Sequence, residues 1–471
     1  MNIHLLIDFG STYTKITALD LEAEAFIGRA QALTTIDSDI TIGLNNALNG
    51  LTQECGFEES QLVGKYASSS AAGGLRMAAI GLVPGLTLEA ARRAALGAGA
   101  KVVSSHGFEI DQAIIDEVEQ AACDIILLCG GTDGGDKDTI LHNARMLAAS
   151  GLDCPIIVVG NRVATGEVGE TLENAGKTVL TAPNVLPSLD KVEVEPAQEL
   201  IREIFITRIT EAKGLGRARD YIGKELVPTP MATLGAAGLL ADGGGGEPGL
   251  GSLLIVEVGG ATTNIHSVGD GGPADPQTII RGLPEPRIKR TVEGDLGIRY
   301  NAPTILEMMG VETCRARLAE IDPGGDSASD LAAHTNSLSR DVGYVPSTDL
   351  EFNLDVMLAR SATSIAVERH AGTLREEYSV VGAVNVQQGK NLLDTATLIG
   401  TGGIFKYGRY PEKILGAALA GPDNPWSLKP KAPQAFIDGD YLLYGIGLLA
   451  EDFPAQALRI AKKYLRPVSL G

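Results

Sequence analysis

Aromatic side chains make up only 4% of this 471-residue chain, so its cores cannot rest on large rings and must be assembled from Ala, Val, Ile and Leu. Positive charge is scarce as well: 39 Lys and Arg stand against 59 Asp and Glu, a formal net charge of −20. That balance argues against a nucleic-acid backbone or an anionic membrane surface as the partner, because each requires a basic patch. The five cysteines, Cys55, Cys123, Cys129, Cys154 and Cys314, are odd in number and contain no CxxC pair. Neither a disulfide framework nor a structural zinc site is indicated. No apolar run reaches the roughly 18 residues that span a bilayer. Asp8 interrupts the first hydrophobic stretch where a secretory signal would be unbroken, so the expected address is the cytoplasm.

Glycine, by contrast, is abundant, with 58 residues. A chain of this length calls for at least two domains. The composition suits an α/β protein. Residues 3–7 (IHLLI) read as a strand that returns through YTKITALDLE in a hairpin. Residues 75–100 turn helical in their second half, with Thr87 as the expected cap, and the strand KVVSS follows. The stretch CDIILLCGGTDGGDKDTILHNARMLAASGLDCPIIVVGN alternates strand, glycine-rich turn, helix and strand, the pattern of a parallel βαβ unit. A helix with Pro196 near its first turn comes next.

The run LLADGGGGEPGLGS places a hinge near residues 245–250, between an N-terminal lobe (1–245, with an inserted α/β region at about 60–225) and a C-terminal lobe (250–471). The second lobe is expected to hold an amphipathic helix through LDVMLARSATSIAVERHAGTL and a final helix, YLLYGIGLLAEDF.

Three stretches carry chemistry. In DFGSTYTK a carboxylate ends a buried strand and is followed by glycine, hydroxyls and a lysine. Such a turn aims backbone N–H groups and hydroxyls at a phosphate while Asp8 holds a hydrated Mg²⁺ and Lys15 neutralises charge; it is also the composition of an ordinary hairpin turn. LLIVEVGGATTNIHSV repeats the arrangement with Glu257, Gly259, Gly260, Thr262 and Thr263, so two phosphate hairpins would face each other across a cleft. TLIGTGGIFKYG ends a strand in a glycine-rich turn that lets backbone approach a flat nucleoside.

Other candidates read more plainly. CGGTDGGD stands between a strand and a helix N-terminus and is either a second anion- or nucleotide-binding loop or a structural turn; Asp133 and Asp136 would repel phosphate unless a metal intervened. NAGKT lacks the glycine a P-loop needs, since Thr171 occupies that position; it and GLGR read as turns. Ser68 to Ser70 read as caps of a following helix, and His266 as a packing residue.

The order of the three glycine turns resembles the superfamily of actin, the seventy-kilodalton heat-shock chaperones and the sugar kinases. That resemblance implies a two-lobed actin-like ATPase fold with ribonuclease H-like repeats and an inserted α/β subdomain. Its first phosphate motif matches Asp8, Gly10, Ser11, Thr12 and Lys15; the second matches Glu257, Gly259, Gly260, Thr262 and Thr263; the adenosine motif matches Gly400, Gly402 and Gly403. The small-residue helices VPTPMATLGAAGLLA and DGDYLLYGIGLLA also resemble that fold's connectors.

More narrowly, SSSAAGGLRMAAIGLVPGLT, LLCGGTDGGDKDTILHNARMLA, VPTPMATLGAAGLLA and VEVGGATTNIHSV resemble the MutL or GlmL family over nearly the whole chain. These are accessory proteins of adenosylcobalamin-dependent glutamate mutase, unrelated to the mismatch-repair ATPase of similar name. The resemblance implies ATP/ADP and Mg²⁺ as cofactors, Asp8 and Glu257 as the catalytic and metal carboxylates, and a mutase partner whose damaged cobalamin is exchanged. Glu257 replaces the superfamily's usual aspartate, and Asn264 stands where a second acid is usual, so slow turnover is expected. The alternatives are a small-molecule kinase of the same fold, which would need a catalytic base beside its substrate, and a nucleotide-sensing scaffold without turnover.

Overall fold

The computed structural model describes residues 2–10, 13–35, 38–70, 75–211, 215–323, 330–379, 382–422 and 424–470. Ser11 and Thr12, residues 71–74 of the serine-led stretch and Gly214 of GLGR lie outside the described residues. The chain divides into two units: Met1–Thr233 with Gly282–Pro284, and Leu234–Arg281 with Glu285–Gly471.

In unit 1, β1 (Ile3–Phe9) is buried along its whole length, as a central strand must be. It pairs antiparallel with β2 (Tyr13–Asp20), which pairs antiparallel with β3 (Ala25–Leu33). Helix α1 (Ile40–Cys55) begins at Asp39, whose side chain accepts from the Thr41 amide, and ends at Gly56 in the left-handed region. On the other side, β4 (Leu62–Ser69) runs parallel to β1.

The chain then leaves this sheet and builds a second one from β5 (Arg76–Gly81), β6 (Lys101–Gly107), β7 (Ile125–Leu128), β8 (Ile156–Val158) and β9 (Val179–Thr181), all parallel. Their order β6-β5-β7-β8-β9 is the doubly wound 2-1-3-4-5 arrangement, with its switch point between β5 and β7. Both faces are buried. Met77, Ala79, Ile125 and Leu127 join one core, while Ala78, Ile80, Ile126 and Leu128 join another, the alternation expected of a sheet covered on both sides. The helices are α2 (Glu89–Gly97), α3 (Gln112–Gln120), α4 (Asp138–Ala149), α5 (Thr165–Glu173), α6 (Glu195–Glu211) and α7 (Leu215–Ile222). Four buried alanines on α2, Ala90, Ala91, Ala94 and Ala95, do the packing that aromatics would do elsewhere.

After α7 the chain returns through β10 (Val227–Pro228), parallel to β4, so the first sheet has the order β10-β4-β1-β2-β3. Helix α8 (Thr229–Asp242) follows, and the division between the units falls within it, at Thr233 and Leu234. The glycine run beyond closes a tight hairpin, β11 (Gly243–Gly244) against β12 (Glu247–Pro248), with Gly243, Gly245 and Gly246 all at positive φ.

Unit 2 is built on β13 (Leu253–Val258), β14 (Thr263–Val268), β15 (Ile279–Arg281), β16 (Ile288–Glu293), β17 (Thr373–Ser379), β18 (Gly382–Gln388), β19 (Thr397–Thr401), β20 (Gln434–Ile437) and β21 (Arg466–Val468). Its main sheet has the order β16-β14-β13-β19-β20-β21. β13, β14 and β16 are antiparallel neighbours, and β19 and β20 run parallel to β13. Set beside unit 1, this is the same sheet: β3-β2-β1-β4-β10 and β16-β14-β13-β19-β20 share order and polarity, and β21 is an antiparallel addition.

The helices of unit 2 are α9 (Ala302–Met309), α10 (Val311–Ile321), α11 (Leu331–Arg340), α12 (Asp349–His370), α13 (Gly403–Tyr407), α14 (Pro411–Gly416), α15 (Leu443–Leu449) and α16 (Pro454–Tyr464). α12 opens with a capping box between Thr348 and Glu351. It is buried around most of its circumference rather than along one stripe, because the sheet core and α9, α10 and α14 all pack on it. The expected helix also stops at His370, and Thr373 already begins a strand. YLLYGIGLLAEDF gives only α15; Pro454 starts a further helix.

Candidate functional site

The first hairpin turn is fixed by backbone. The Gly10 amide donates to the carbonyls of Asp8 and Tyr13, both at 3.1 Å, and a Cβ at Gly10 would lie 2.7 Å from the Tyr13 oxygen. Only glycine fits there. Asp8, 2% exposed, ends β1 directly opposite Lys15 on β2 and in register with Ser68 on β4. Lys15 Nζ lies 3.5 Å from Asp8 Oδ2. Asp8 Oδ1 accepts from the Ser68 hydroxyl at 3.2 Å and the Thr229 hydroxyl at 2.8 Å. Ser68 therefore ends a strand and binds a carboxylate instead of capping a helix, since the next described element is β5 and not a helix. Thr87 likewise sits inside a wide helical turn, Pro84–Leu88, and its oxygen accepts from the Leu82 and Val83 amides.

The second turn repeats the first. The Gly259 amide donates to the Thr262 carbonyl at 2.9 Å, the same spacing as Gly10 to Tyr13. Glu257 stands opposite Asn264 as Asp8 stands opposite Lys15, and beside Thr401 as Asp8 stands beside Ser68. Asn264 Nδ2 donates to Glu257 Oε2 at 3.1 Å, and Arg290 on β16 donates to Asn264 Oδ1 at 3.4 Å. Asn264 is thus a bridge between a carboxylate and a buried guanidinium. His266 is fully buried and its Nε2 lies 3.6 Å from Glu257 Oε2, a contact outside normal hydrogen-bond range.

Burial opposes ionisation of Glu257, but the neighbouring His266 imidazole, the Arg290 charge and the Asn264 amide outweigh it, and the carboxyl sits below its ordinary value. Burial lowers His266 too, with the Arg290 charge adding and the Glu257 carboxylate opposing. Desolvation pulls Arg290 down to about 10, with the charge of Glu257 opposing, which leaves the guanidinium charged at neutral pH.

The rest of this turn is braced by residues that motif reading passes over. Thr263, fully buried, donates its hydroxyl to the Leu296 carbonyl at 2.7 Å. The Gly260 carbonyl accepts from the Arg299 and Tyr300 amides at 2.9 and 3.0 Å. A Cβ at Gly297 would overlap the Ala261 backbone. Arg299 is itself anchored by a two-point bond to Asp355, at 2.8 and 2.6 Å.

The third glycine turn meets the second at the ends of the neighbouring strands β13 and β19. Gly402 has φ 106°, and a Cβ there would lie 2.5 Å from the Val258 carbonyl oxygen. Gly400 makes room for the Phe405 ring, while Gly403 is exposed and open around its Cα. Thr401 donates to Asp438 at 3.0 Å, and Asp438 also accepts from the Leu442 and Leu443 amides. Burial raises the Asp438 pKa against these donors.

The CGGTDGGD loop is closed on itself. Asn161 takes the Gly134 amide and donates to the Gly135 and Asp136 carbonyls; Asn184 donates to the Gly131 carbonyl and to Asp133. At the other side of the switch point Thr87 takes the first amides after β5. These loops spend their polar groups internally. NAGKT is a turn after α5 in which Lys177 donates to the Ser150 and Leu152 carbonyls.

Among the described residues no three His, Cys, Asp or Glu side chains converge as a metal cage. Asp8 and Glu257 instead stand as single carboxylates at glycine turns. That donor set fits Mg²⁺ carried by phosphates and water better than it fits an all-protein cage. Among the described residues no helix is long and apolar enough to cross a membrane.

Two sheets of identical order, each with a carboxylate at the end of its first strand and a glycine-closed hairpin after it, define an actin-like ATPase fold with ribonuclease H-like repeats and an inserted α/β subdomain. The match of residues 4–465 to the MutL protein family model places the chain in that family. It is 46% identical over 465 residues to a protein MutL of Clostridium tetanomorphum, covering 99% of each chain. Among solved structures, a nucleotide-free acetone carboxylase aligns with 96% of this chain and 71% of its own, at 14% identity and a TM-score of 0.41. A glycerol dehydratase reactivase aligns over 96% and 99%, at 11% identity and a TM-score of 0.34.

Proposed function

We propose that the chain is a nucleotide-binding reactivating chaperone that serves an adenosylcobalamin-dependent mutase of the glutamate or methylaspartate type, exchanging damaged cobalamin for intact coenzyme. Asp8, Gly10, Ser11, Thr12 and Lys15 are the phosphate-binding residues of unit 1, and Glu257, Gly259, Gly260 and Thr262 those of unit 2, for ATP or ADP with Mg²⁺. Thr263, also read from the motif, instead braces the second turn, because its buried hydroxyl is given to the Leu296 carbonyl. Gly400, Gly402 and Gly403 admit the adenosine. The metal supplies charge neutralisation to the phosphates. The observation that carries this reading is the duplicated hairpin: Gly10 to Tyr13 and Gly259 to Thr262 close identical turns beside Asp8 and Glu257. Family membership supports the chaperone role and its mutase partner.

Turnover is slow in this reading. The residue opposite Glu257 is an amide already engaged with Glu257 and Arg290, and it cannot take a proton from water. The same observation favours, as a second reading, a nucleotide sensor without turnover. The inserted domain grips the partner enzyme. Its exposed large apolar side chains among the described residues, Phe108, Val163 and Leu189, stand in the loops beyond the C-terminal ends of β6, β8 and β9.

The test is to measure Mg-ATP affinity and phosphate release with and without an inactivated mutase. Tight binding, stimulated hydrolysis and recovered mutase activity support the chaperone. Binding alone supports the sensor, and phosphorylation of a free metabolite would make the protein a kinase.

A further inference from the structure

The two oxygens of the Asp8 carboxylate have different neighbours. Oδ1 accepts from two hydroxyls, Thr229 at 2.8 Å and Ser68 at 3.2 Å, whereas Oδ2 lies 3.5 Å from the Lys15 ammonium. A carboxylate held at one oxygen by two donors from different elements cannot swing about its own bond, so the direction of its second oxygen is fixed. Thr229 is well suited to do the holding. It is β-branched and stiff about its first side-chain torsion, and Pro230 restricts its backbone at the junction where β10 becomes α8. It is 7% exposed, and Ser68 is fully buried.

We propose that Thr229 is the positioning residue of Asp8: together with Ser68 its hydroxyl occupies Oδ1 and so directs Oδ2 to the metal-nucleotide. This rests on the reading of Asp8 given under Proposed function. Without the Thr229 hydroxyl the carboxylate can rotate until the Lys15 ammonium takes both oxygens, which sets the lysine in competition with the metal. The consequence is specific. Affinity for the metal-loaded nucleotide falls, and affinity for the metal-free nucleotide does not.

The experiment is calorimetric titration of the full chain with ADP, with and without Mg²⁺, alongside thermal unfolding of the nucleotide-free protein. Thr229→Val keeps the shape and removes the hydroxyl; it should weaken Mg-ADP binding by about tenfold or more, as losses of outer-shell partners do. Metal-free ADP binding should stay within about twofold, and Thr229→Ser should restore most of the Mg-ADP affinity. Ser68→Ala, which removes the longer bond, should show the same pattern more weakly, and it carries the test if the valine variant unfolds early.

Wild-type Mg-ADP affinity in a folded Thr229→Val protein, with Asp8→Asn impaired, overturns the proposal and leaves the functional reading standing. An equal loss with and without Mg²⁺ that serine does not rescue assigns Thr229 to packing alone and also overturns it. If Asp8→Asn itself binds Mg-ADP normally, the reading of Asp8 falls and the proposal falls with it.

Discussion

Glu257 and Asn264 face one another across the second hairpin, with the amide nitrogen of one 3.1 Å from a carboxylate oxygen of the other, and Arg290 closes the chain behind them. The bridge lets a part-buried carboxylate and a buried guanidinium share one polar partner, which desolvation would otherwise penalise on both sides. Asn264→Leu removes that partner while keeping the volume similar. Unfolding of unit 2 should become easier by roughly 2 kcal/mol, the usual scale for hydrogen bonds to charged groups. Chemical denaturation of wild type and variant measures it, and a difference near zero would show that Arg290 and Glu257 are satisfied without the amide.

Gly402 is constrained twice, by its φ of 106° and by the Val258 carbonyl oxygen 2.5 Å from where a Cβ would stand. Backbone does not yield as a flexible side chain does. Gly402→Ala should cost about 2 kcal/mol or more in thermal unfolding and should disturb the Gly403 turn that follows. Gly403→Ala is the control: nothing lies within 4 Å of its Cβ position, so it should unfold like wild type. If the two variants behave alike, the close approach at Gly402 is relieved by local shifts.

The parts of the site legible in the sequence are those written locally. A strand ending in a carboxylate and a glycine, followed by hydroxyls and a second strand, has its turn chemistry within a few residues, and Asp8, Gly10, Glu257 and Gly259 are found that way. Ser68, Thr229, Arg290 and Asp438 are not, because their contacts come from register between distant strands. Ser68 reaches Asp8 across 60 residues and Thr229 across 221. The duplicated sheet order is invisible for the same reason, although each strand is readable on its own. The Ser68 to Ser70 run shows the opposite failure: serines suggest caps only if a helix follows, and here a strand ends at Ser69. Burial of α12 on most faces also escapes pattern reading, since a helix among several neighbours has no single apolar stripe.

Lys390 is fully buried and donates to the carbonyls of Arg287, Pro286 and Ser267 at 2.7, 2.9 and 3.5 Å. Burial first, then the charge of Lys289, with Arg287 adding and Glu285 and Asp270 opposing, pulls its pKa down to about 7. The unfolded chain holds the same proton up to roughly pH 10. Between these values the unfolded state binds more protons, so stability rises with pH across the window, and the penalty is full below pH 7. Lys390→Met does not titrate. The wild-type-minus-variant difference in unfolding free energy should therefore climb by on the order of 3 kcal/mol from pH 7 to pH 10. A flat difference would mean that the three carbonyls keep the ammonium charged throughout.

Cys123 Sγ and Cys154 Sγ lie 3.7 Å apart, just before the neighbouring parallel strands β7 and β8. Ala122, in the left-handed region with φ 46°, presents Cys123 at the end of the turn after α3. The contact with Cys154 and burial both push the Cys123 thiol up, so little thiolate is present at neutral pH and oxidation should be slow there and faster above pH 9. With oxidised glutathione as oxidant, the Cys123 thiolate attacks one glutathione sulfur and expels the other as thiolate. The Cys154 thiolate then displaces the second glutathione. One protein disulfide forms, and one glutathione disulfide is reduced to two thiols. Closing a loop of this length should raise stability by about 4 kcal/mol in the chain-entropy picture. Peptide mapping of the oxidised, alkylated protein should recover the Cys123–Cys154 pair. Cys129 is the internal control: fully buried and pushed up to about 12 by desolvation, it should stay unlabelled until the inserted domain unfolds. Recovery of both thiols in reduced form after prolonged oxidant at pH 9, or mixed disulfides with glutathione at either position, would show that the two sulfurs do not close to bonding distance.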